Sequence, residues 1–495
     1  MFNLQFNSLE FLVFFFLVTT VYYIIPHKVR WIWILISSYY FYLQTSHPKY
    51  IILLLGTTFI SYLSGLLIEA SDKKQSEKVK KSVLIGSILC NIGFLFLFKY
   101  YDFFMDIAKQ ALASVHIYIN MPKLGLALPV GISFYTFEAV GYIIDVYRRK
   151  IKAEKNLAKY ALFIAFFPQL LAGPIERAKH MLSQFEAKHS FNYEKVKSGL
   201  LLILWGLFQK LVVADRLSKL VDTVFSNPDT YKGFNVVIAS IFFTFQIYCD
   251  FSGYSDMAIG VARVLGFELT RNFERPYFSK SVREFWRRWH ITLCSWFKDY
   301  LYIPLGGNRC SKIKNYRNIM IVFIVSGLWH GAALNFIVWG TLHGVYQVVE
   351  KILEPLKNKV VQKLKINDQA IWYKCSQVLI TFILVDFAWI FFKANTLSTA
   401  VKLIKNMFYF NPWVFTDGSL YNLGLTYKEF IISLLGIAVI LAVNFLQRKN
   451  ILYKELKDKN IAARWSVYLA IVVIIIIFGV YGPEYNPQQF IYFQF

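Results

Sequence analysis

The stretch NIMIVFIVSGLWHGAALNFIVWGTLHGVYQVV, residues 318–349, runs for 32 residues without an acidic side chain, lysine or arginine, yet it holds two histidines, His330 and His343. A bilayer hydrocarbon core of about 30 Å needs roughly 20 apolar residues to cross, so this run is long enough to be a span. Imidazoles at that depth are costly unless they have a partner or a polar cavity. The stretch predicts an all-α, polytopic integral membrane protein with a polar site inside the membrane.

The rest of the chain agrees. Of its 495 residues 56% are hydrophobic and only 17% charged. Uncharged runs recur at residues 11–26, 31–48, 50–68, 82–98, 160–175, 233–249, 430–447 and 465–482. Weaker candidates lie at 124–144, 198–208 and 375–392, where Glu138 and Asp386 interrupt. About 11 to 13 membrane elements are expected, several of them broken or re-entrant, which requires protein or an aqueous cavity around the exposed backbone. Residues 1–6 read as an interfacial lead-in to the first anchor rather than a signal peptide, because no basic n-region or small-residue cleavage site is present.

The formal charge of +24 is concentrated in short connectors, clearest at 71–81, 148–159, 351–365 and 448–459. Short basic loops are retained on the cytoplasmic side, so these four are cytoplasmic anchors and nucleic acid is not the expected partner. They also suit anionic lipid headgroups or a polyanionic donor. Five scattered cysteines form no CxxC and no metal-ligand spacing, so neither a disulfide framework nor a metal site is expected. With no stretch long enough for a separate soluble domain, residues 1–495 are expected to form one membrane-embedded body, its polar core at 246–344.

That core opens with QIYCDFSGYSD at 246–256. Ser252 suits the cap of a following helix with Asp256 in its first turn. Equally, Asp250, Ser252 and Asp256 suit a polar lining that positions ligand hydroxyls or supports a histidine. Next comes SVREFWRRWH at 281–290, where helical spacing puts Arg283 and Arg287 on one face and Trp286 and His290 on another. An aromatic-rich helix lying in the interface fits this pattern, as does an inward-facing His290. Arg287 and Arg288 suit a phosphate-bearing substrate or lipid headgroups. In 318–349, Gly327/Gly331 and Gly340/Gly344 repeat at four-residue spacing, which lets helices approach closely. His330 beside such a surface fits either a cross-helix hydrogen bond or a base in a narrow cavity, since neutral imidazole accepts a hydroxyl proton near neutral pH. His343 is better suited to a structural polar contact. Trp329 and Asn335 flank His330 as candidate lining residues.

Taken together, LPVGISFYTF (128–137), FPQLLAGPI (167–175), QIYCDFSGYSD (246–256), EFWRRWHITL (284–293) and GLWHG (327–331) resemble the membrane-bound O-acyltransferase family. The likeness is strongest to its bacterial branch of alginate, peptidoglycan and cellulose O-acetylation subunits, and extends over nearly the whole chain. The resemblance implies a ring of tilted helices around a thin centre, with a through tunnel. It implies that His330 is the catalytic histidine and His290 the second histidine of the same funnel. It further implies acetyl-CoA as donor substrate with no bound cofactor, and an exported polysaccharide as acceptor. A secreted or periplasmic SGNH (serine-hydrolase-like) acetyltransferase partner and a place in the bacterial cytoplasmic membrane also follow from it. Two alternatives stay open. One is D-alanyl transfer to teichoic acid from a carrier-protein thioester. The other is a non-catalytic transporter or flippase of an acyl or lipid-linked substrate, for which intramembrane polar residues are equally suited. A scaffold for a secreted complex is a third.

Overall fold

The computed structural model describes residues 4–120, 122–447, 460–481 and 490–491. Every extended regular element among them is helical. Among the described residues seven helices are long and apolar enough to cross a bilayer: Pro48–Lys73, Glu77–Ser114, Tyr193–Ser226, Phe234–Val264, Ile371–Lys393, Tyr427–Leu446 and Ile461–Phe478. Other apolar runs fold as short or broken pieces, the kind of element the sequence also leads one to expect. Leu9–Ile24 is apolar but only 16 residues long. The run at 160–175 supplies the helix Leu157–Ala165 and then an irregular segment, in which Phe166, Phe167, Leu170 and Leu171 are buried. Backbone that leaves the helix there is covered by protein, as a membrane requires.

The chain packs as two compact units. The first comprises the residues up to Leu200 together with Ala258–Thr270. In its described part the amino terminus packs against the protein: Leu4 and Phe6 are buried, and the Phe6 ring lies 4.5 Å from Phe11. Two of the family-like segments meet in this unit. Gly131 caps the helix Ile132–Tyr147 with φ +79°, and a Cβ there would lie 2.6 Å from the Leu170 carbonyl oxygen. Only glycine fits both that conformation and that approach. Glu138, which interrupts an apolar run, is buried where its Oε1 accepts the Glu176 N–H at 3.2 Å. The basic connectors 71–81 and 148–159 lie together, since Arg149 pairs with Asp72 at 2.7 Å and Lys155 with Glu69 at 3.0 Å. The connector 448–459 lies outside the described residues.

The second unit comprises Leu201–Met257 and Arg271 onward. Its organising feature corrects the simplest reading of 318–349. The run is not one crossing. It is an antiparallel hairpin of the helices Lys312–His330 and Leu334–Lys363, broken at residues 331–333. Gly327 and Gly340 face each other across it: a Cβ on Gly327 would meet the Phe336 carbonyl oxygen at 2.3 Å, and one on Gly340 would meet that of Phe323 at 2.3 Å. Small residues thus bring the two backbones into contact, which is what their spacing is for. Asn335 fastens the second arm, its Nδ2 donating to the carbonyls of Phe391 (3.2 Å) and Ala394 (2.8 Å) at the end of the helix Ile371–Lys393. Asp386 in that helix accepts from Ser240 Oγ at 2.6 Å and Thr244 Oγ1 at 2.7 Å, which offsets the cost of a carboxylate in an apolar span.

Candidate active site

His330 is the last residue of the first hairpin arm and is 2% exposed. The chain turns at Gly331, so the imidazole stands at the hairpin apex. Around it are Trp329 at 4.9 Å, Trp339 at 4.9 Å and Phe392 at 5.2 Å between ring centroids. The second arm and the helix Ile371–Lys393 therefore supply the walls that the sequence around His330 does not contain.

His290 reaches the same cluster by a different route. The sequence pattern 281–290 suggests one helix continuing through His290 to Cys294. The structure breaks it: Val282–Arg288 is one helix and Ile291–Phe297 another, with His290 between them at φ +44°, ψ +53°. Nor does the first piece lie on the surface. Val282, Phe285 and Trp286 are buried, and the N–H groups of Val282 and Arg283 donate to the Glu350 carboxylate at 2.6 and 3.2 Å. A carboxylate there satisfies amides that a helix start leaves open. The left-handed residue redirects His290 inward, where it is fully buried. Its ring lies 4.7 Å from Phe251 and 6.1 Å from Trp329. Both imidazoles, forty positions apart in sequence, thus pack against the Trp329 indole.

His343 is in the second arm and is also buried. Trp286 Nε1–H donates to its Nδ1 at 3.2 Å, and the rings of Trp286 and Trp339 stand 5.0 and 5.1 Å away. The indole N–H can only donate, so it occupies the imidazole's single lone pair. Trp286 is thus the hydrogen-bond partner of His343.

The remaining candidates divide. Trp329 lies in the cluster. Arg287 is exposed, while Arg288 pairs with Glu284 at 2.5 Å. Asn335 is engaged in fastening the hairpin, as described above. Asp250, Ser252 and Asp256 lie within the unbroken helix Phe234–Val264, so Ser252 does not start a new helix with Asp256 in its first turn. Their described hydrogen bonds go to a neighbouring segment. Lys210 Nζ donates to Asp250 at 2.6 Å and pairs with Asp215 at 2.9 Å. Gln209 Nε2 donates to Asp256 at 2.8 Å, and Ser252 Oγ donates to Gln209 Oε1. The Ile491 N–H also donates to Asp250, at 2.7 Å. Gln209 and Lys210 are consecutive within the π-helical turn Phe208–Ala214, and both bond to this helix.

Sequence reasoning missed Asn272, Gln209, Lys210, Trp339, Trp389 and Phe392. Asn272 Oδ1 lies 3.0 Å from His290 Nδ1, and Trp389 stacks on Trp339 at 5.6 Å. Only their type, polar or aromatic in an apolar protein, marked them beforehand. Among the described residues no group of three or more His, Cys, Asp or Glu is placed to hold a metal ion.

Similarity to known proteins follows the same residues. The model of the MBOAT, membrane-bound O-acyltransferase family matches residues 148–372, which include both hairpin arms and His290. The chain is 34% identical over 489 residues, 96% of each chain, to the probable alginate O-acetylase AlgI of Pseudomonas putida. It is 35% identical over 402 residues to the peptidoglycan O-acetyltransferase of Helicobacter pylori, covering 76% of this chain and 73% of that one. It is 26% identical over 328 residues to the teichoic acid D-alanyltransferase of Bacillus subtilis, covering 63% of this chain and 78% of the relative. With its apolar spans and its buried histidine cluster, the chain belongs to the membrane-bound O-acyltransferase family, in the branch of the alginate and peptidoglycan O-acetyltransferases, and is a multi-pass membrane O-acyltransferase.

Proposed function

We propose that this protein takes an acetyl group from cytoplasmic acetyl-CoA and passes it across the bacterial cytoplasmic membrane for O-acetylation of an exported or cell-wall polysaccharide. A secreted serine-hydrolase-like protein would receive or hand on the group. The observation that carries this reading is His330, held by a tight hairpin in an aromatic enclosure against the same indole as His290. In the reaction, the His330 imidazole takes the proton of the acceptor hydroxyl as its oxygen attacks the thioester carbonyl. A C–O bond forms, the C–S bond breaks, and the proton passes from the imidazolium to the departing thiolate. General base catalysis of this kind contributes about 10²–10⁴ in rate, and a rigid, enclosed base adds orientation. His290 positions the substrate or assists.

The identity over almost the full length of an acetylation relative, against partial coverage by the D-alanyl relative, favours acetyl as the group transferred. The test is transfer from radiolabelled acetyl-CoA in inverted vesicles, with partner and glycan supplied, comparing the native protein with His330→Ala at equal folded expression. Label in partner or glycan that disappears in the variant is the expected result. Equal labelling by both proteins removes His330 from the chemistry. No labelling by either, with D-alanyl carrier thioester active instead, moves the reading to alanylation; substrate movement without transfer moves it to a transporter.

A further inference from the structure

We propose that Asn272 is the positioning residue that fixes the tautomer of His290, holding the proton on Nδ1 and making Nε2 the nitrogen that accepts from the substrate. The choice of Nε2 as the acting atom rests on the acyl-transfer reading above; the tautomer itself does not.

The hydrogen bonds around Asn272 determine which end of its amide faces the histidine. Thr292 N–H, a group that can only donate, lies 3.3 Å from Asn272 Oδ1, and Thr292 Oγ1 lies 2.9 Å from the same atom. The other end of the amide, Nδ2, donates to Ser255 Oγ at 3.3 Å. Turning the amide over would set its N–H₂ against the Thr292 N–H, donor against donor. The atom that meets His290 Nδ1 at 3.0 Å is therefore an oxygen. An oxygen of this kind only accepts, so Nδ1 carries the proton and the lone pair of the neutral ring is on Nε2.

The backbone reinforces the arrangement. Ile291 N–H donates to the Asn272 carbonyl at 2.9 Å, and Glu274 N–H donates to the Arg288 carbonyl at 2.9 Å. Residues 272–274 thus grip the chain on both sides of His290. A non-glycine residue in the left-handed region costs free energy and persists only where its surroundings over-determine it. Here the strain breaks a helix, and the same asparagine that ties down the break also holds the ring. In its described contacts the imidazole meets Asn272, Phe251 and Trp329, all neutral. His343 supplies the contrast: Trp286 occupies its Nδ1 lone pair and leaves the proton on Nε2. The two buried rings are set in opposite tautomers, one with its acceptor nitrogen used for packing and one with it directed to chemistry.

The full-length protein in membranes, with Asn272→Asp and Asn272→Leu, tests the assignment. Asp keeps an acceptor for all three donors and adds a charge that favours the imidazolium. The acid limb of its pH–rate profile should move up by about 1 pH unit or more, with turnover retained. Leu removes the acceptor, and kcat should fall by about 10-fold or more with KM for acetyl-CoA within about 2-fold. An unchanged acid limb in an active Asp variant, or native kcat in the Leu variant, overturns the proposal. A purely structural asparagine would lower only the yield of folded protein. Nitrogen-15 NMR of histidine-labelled native protein, its signals assigned by comparison with His290→Ala, reads the tautomer whether or not the Asn272 variants fold. A protonated Nδ1 is expected, and a protonated Nε2 overturns the proposal. Full activity in His290→Ala defeats the catalytic reading of that residue separately, while the NMR result still decides the role of Asn272.

Discussion

The histidine cluster and the Lys210 cluster both bury polar groups among aromatic rings in the second unit, but they are built differently. Lys210 places a cation between the carboxylates of Asp215 and Asp250 and beneath the Phe490 ring at 4.4 Å. Its geometry is closed by charge. In their described contacts His330, His290 and His343 meet indoles, phenyl rings and an amide. A buried ion cluster fixes a structure because breaking it is expensive, and for the same reason it is a poor place to move protons. A neutral imidazole whose lone pair no donor occupies can still take up a proton at modest cost.

The largest expected effects separate the two clusters. His330→Ala should lower acyl transfer by about 10²–10⁴-fold while leaving thermal stability in detergent nearly unchanged. Lys210→Met should do the reverse at the outset, destabilising the fold by about 3–5 kcal/mol because two carboxylates lose their buried partner. Adding Asp215→Asn and Asp250→Asn to Lys210→Met should restore much of that stability. If it does not, or if Lys210→Met folds normally and is inactive, the Lys210 cluster belongs to the chemistry and the contrast fails.

Gly340→Ala comes next. Its methyl group would sit 2.3 Å from a backbone oxygen, so the hairpin arms must separate. A loss of about 1–3 kcal/mol is expected in melting experiments. Turnover should fall as well, since displacing the base by about 1 Å can cost 10²-fold. A variant with native turnover would show that the hairpin does not position His330. Trp286→Phe should cost about 1 kcal/mol through the lost hydrogen bond to His343, with kcat within about 2-fold. A large loss of kcat at intact stability would promote His343 from packing to chemistry.

The smallest effect lies in the first unit, away from the spans. His180 Nδ1 pairs with the buried Glu176 at 2.9 Å, and that hydrogen bond raises the histidine above its ordinary pKa. The contact therefore stabilises fully below the unfolded histidine value of about 6.5 and is lost as pH rises through the folded value. With His180 nearly half exposed, the change should stay under about 1 kcal/mol. A melting profile of His180→Gln that keeps the native pH dependence would remove this contribution.

The carboxylates show what the sequence leaves open. Asp250, Ser252 and Asp256 stand out because they are polar in an apolar chain, but that property does not name the groups they bond. Two of those groups, Gln209 and Lys210, lie about forty positions away. Local spacing also favoured a continuous helix through His290, because nothing in the pattern 281–290 reports the backbone bonds from residues 272–274 that hold it in the left-handed region. Arg287 and Arg288, adjacent in sequence, separate into an exposed residue and one ion-paired to Glu284 one turn earlier.

By itself the sequence determined the helical membrane class and the family, and singled out His330 and His290 as candidates, because apolar length, small-residue spacing and contiguous motifs are local properties. Only the tertiary structure decided that residues 318–349 turn back on themselves, that one indole serves both His290 and His330, and which nitrogen of each further histidine carries the proton. Those outcomes depend on which side chains meet across tens or hundreds of residues, and a hydrogen-bond partner leaves no trace in the residue it will hold.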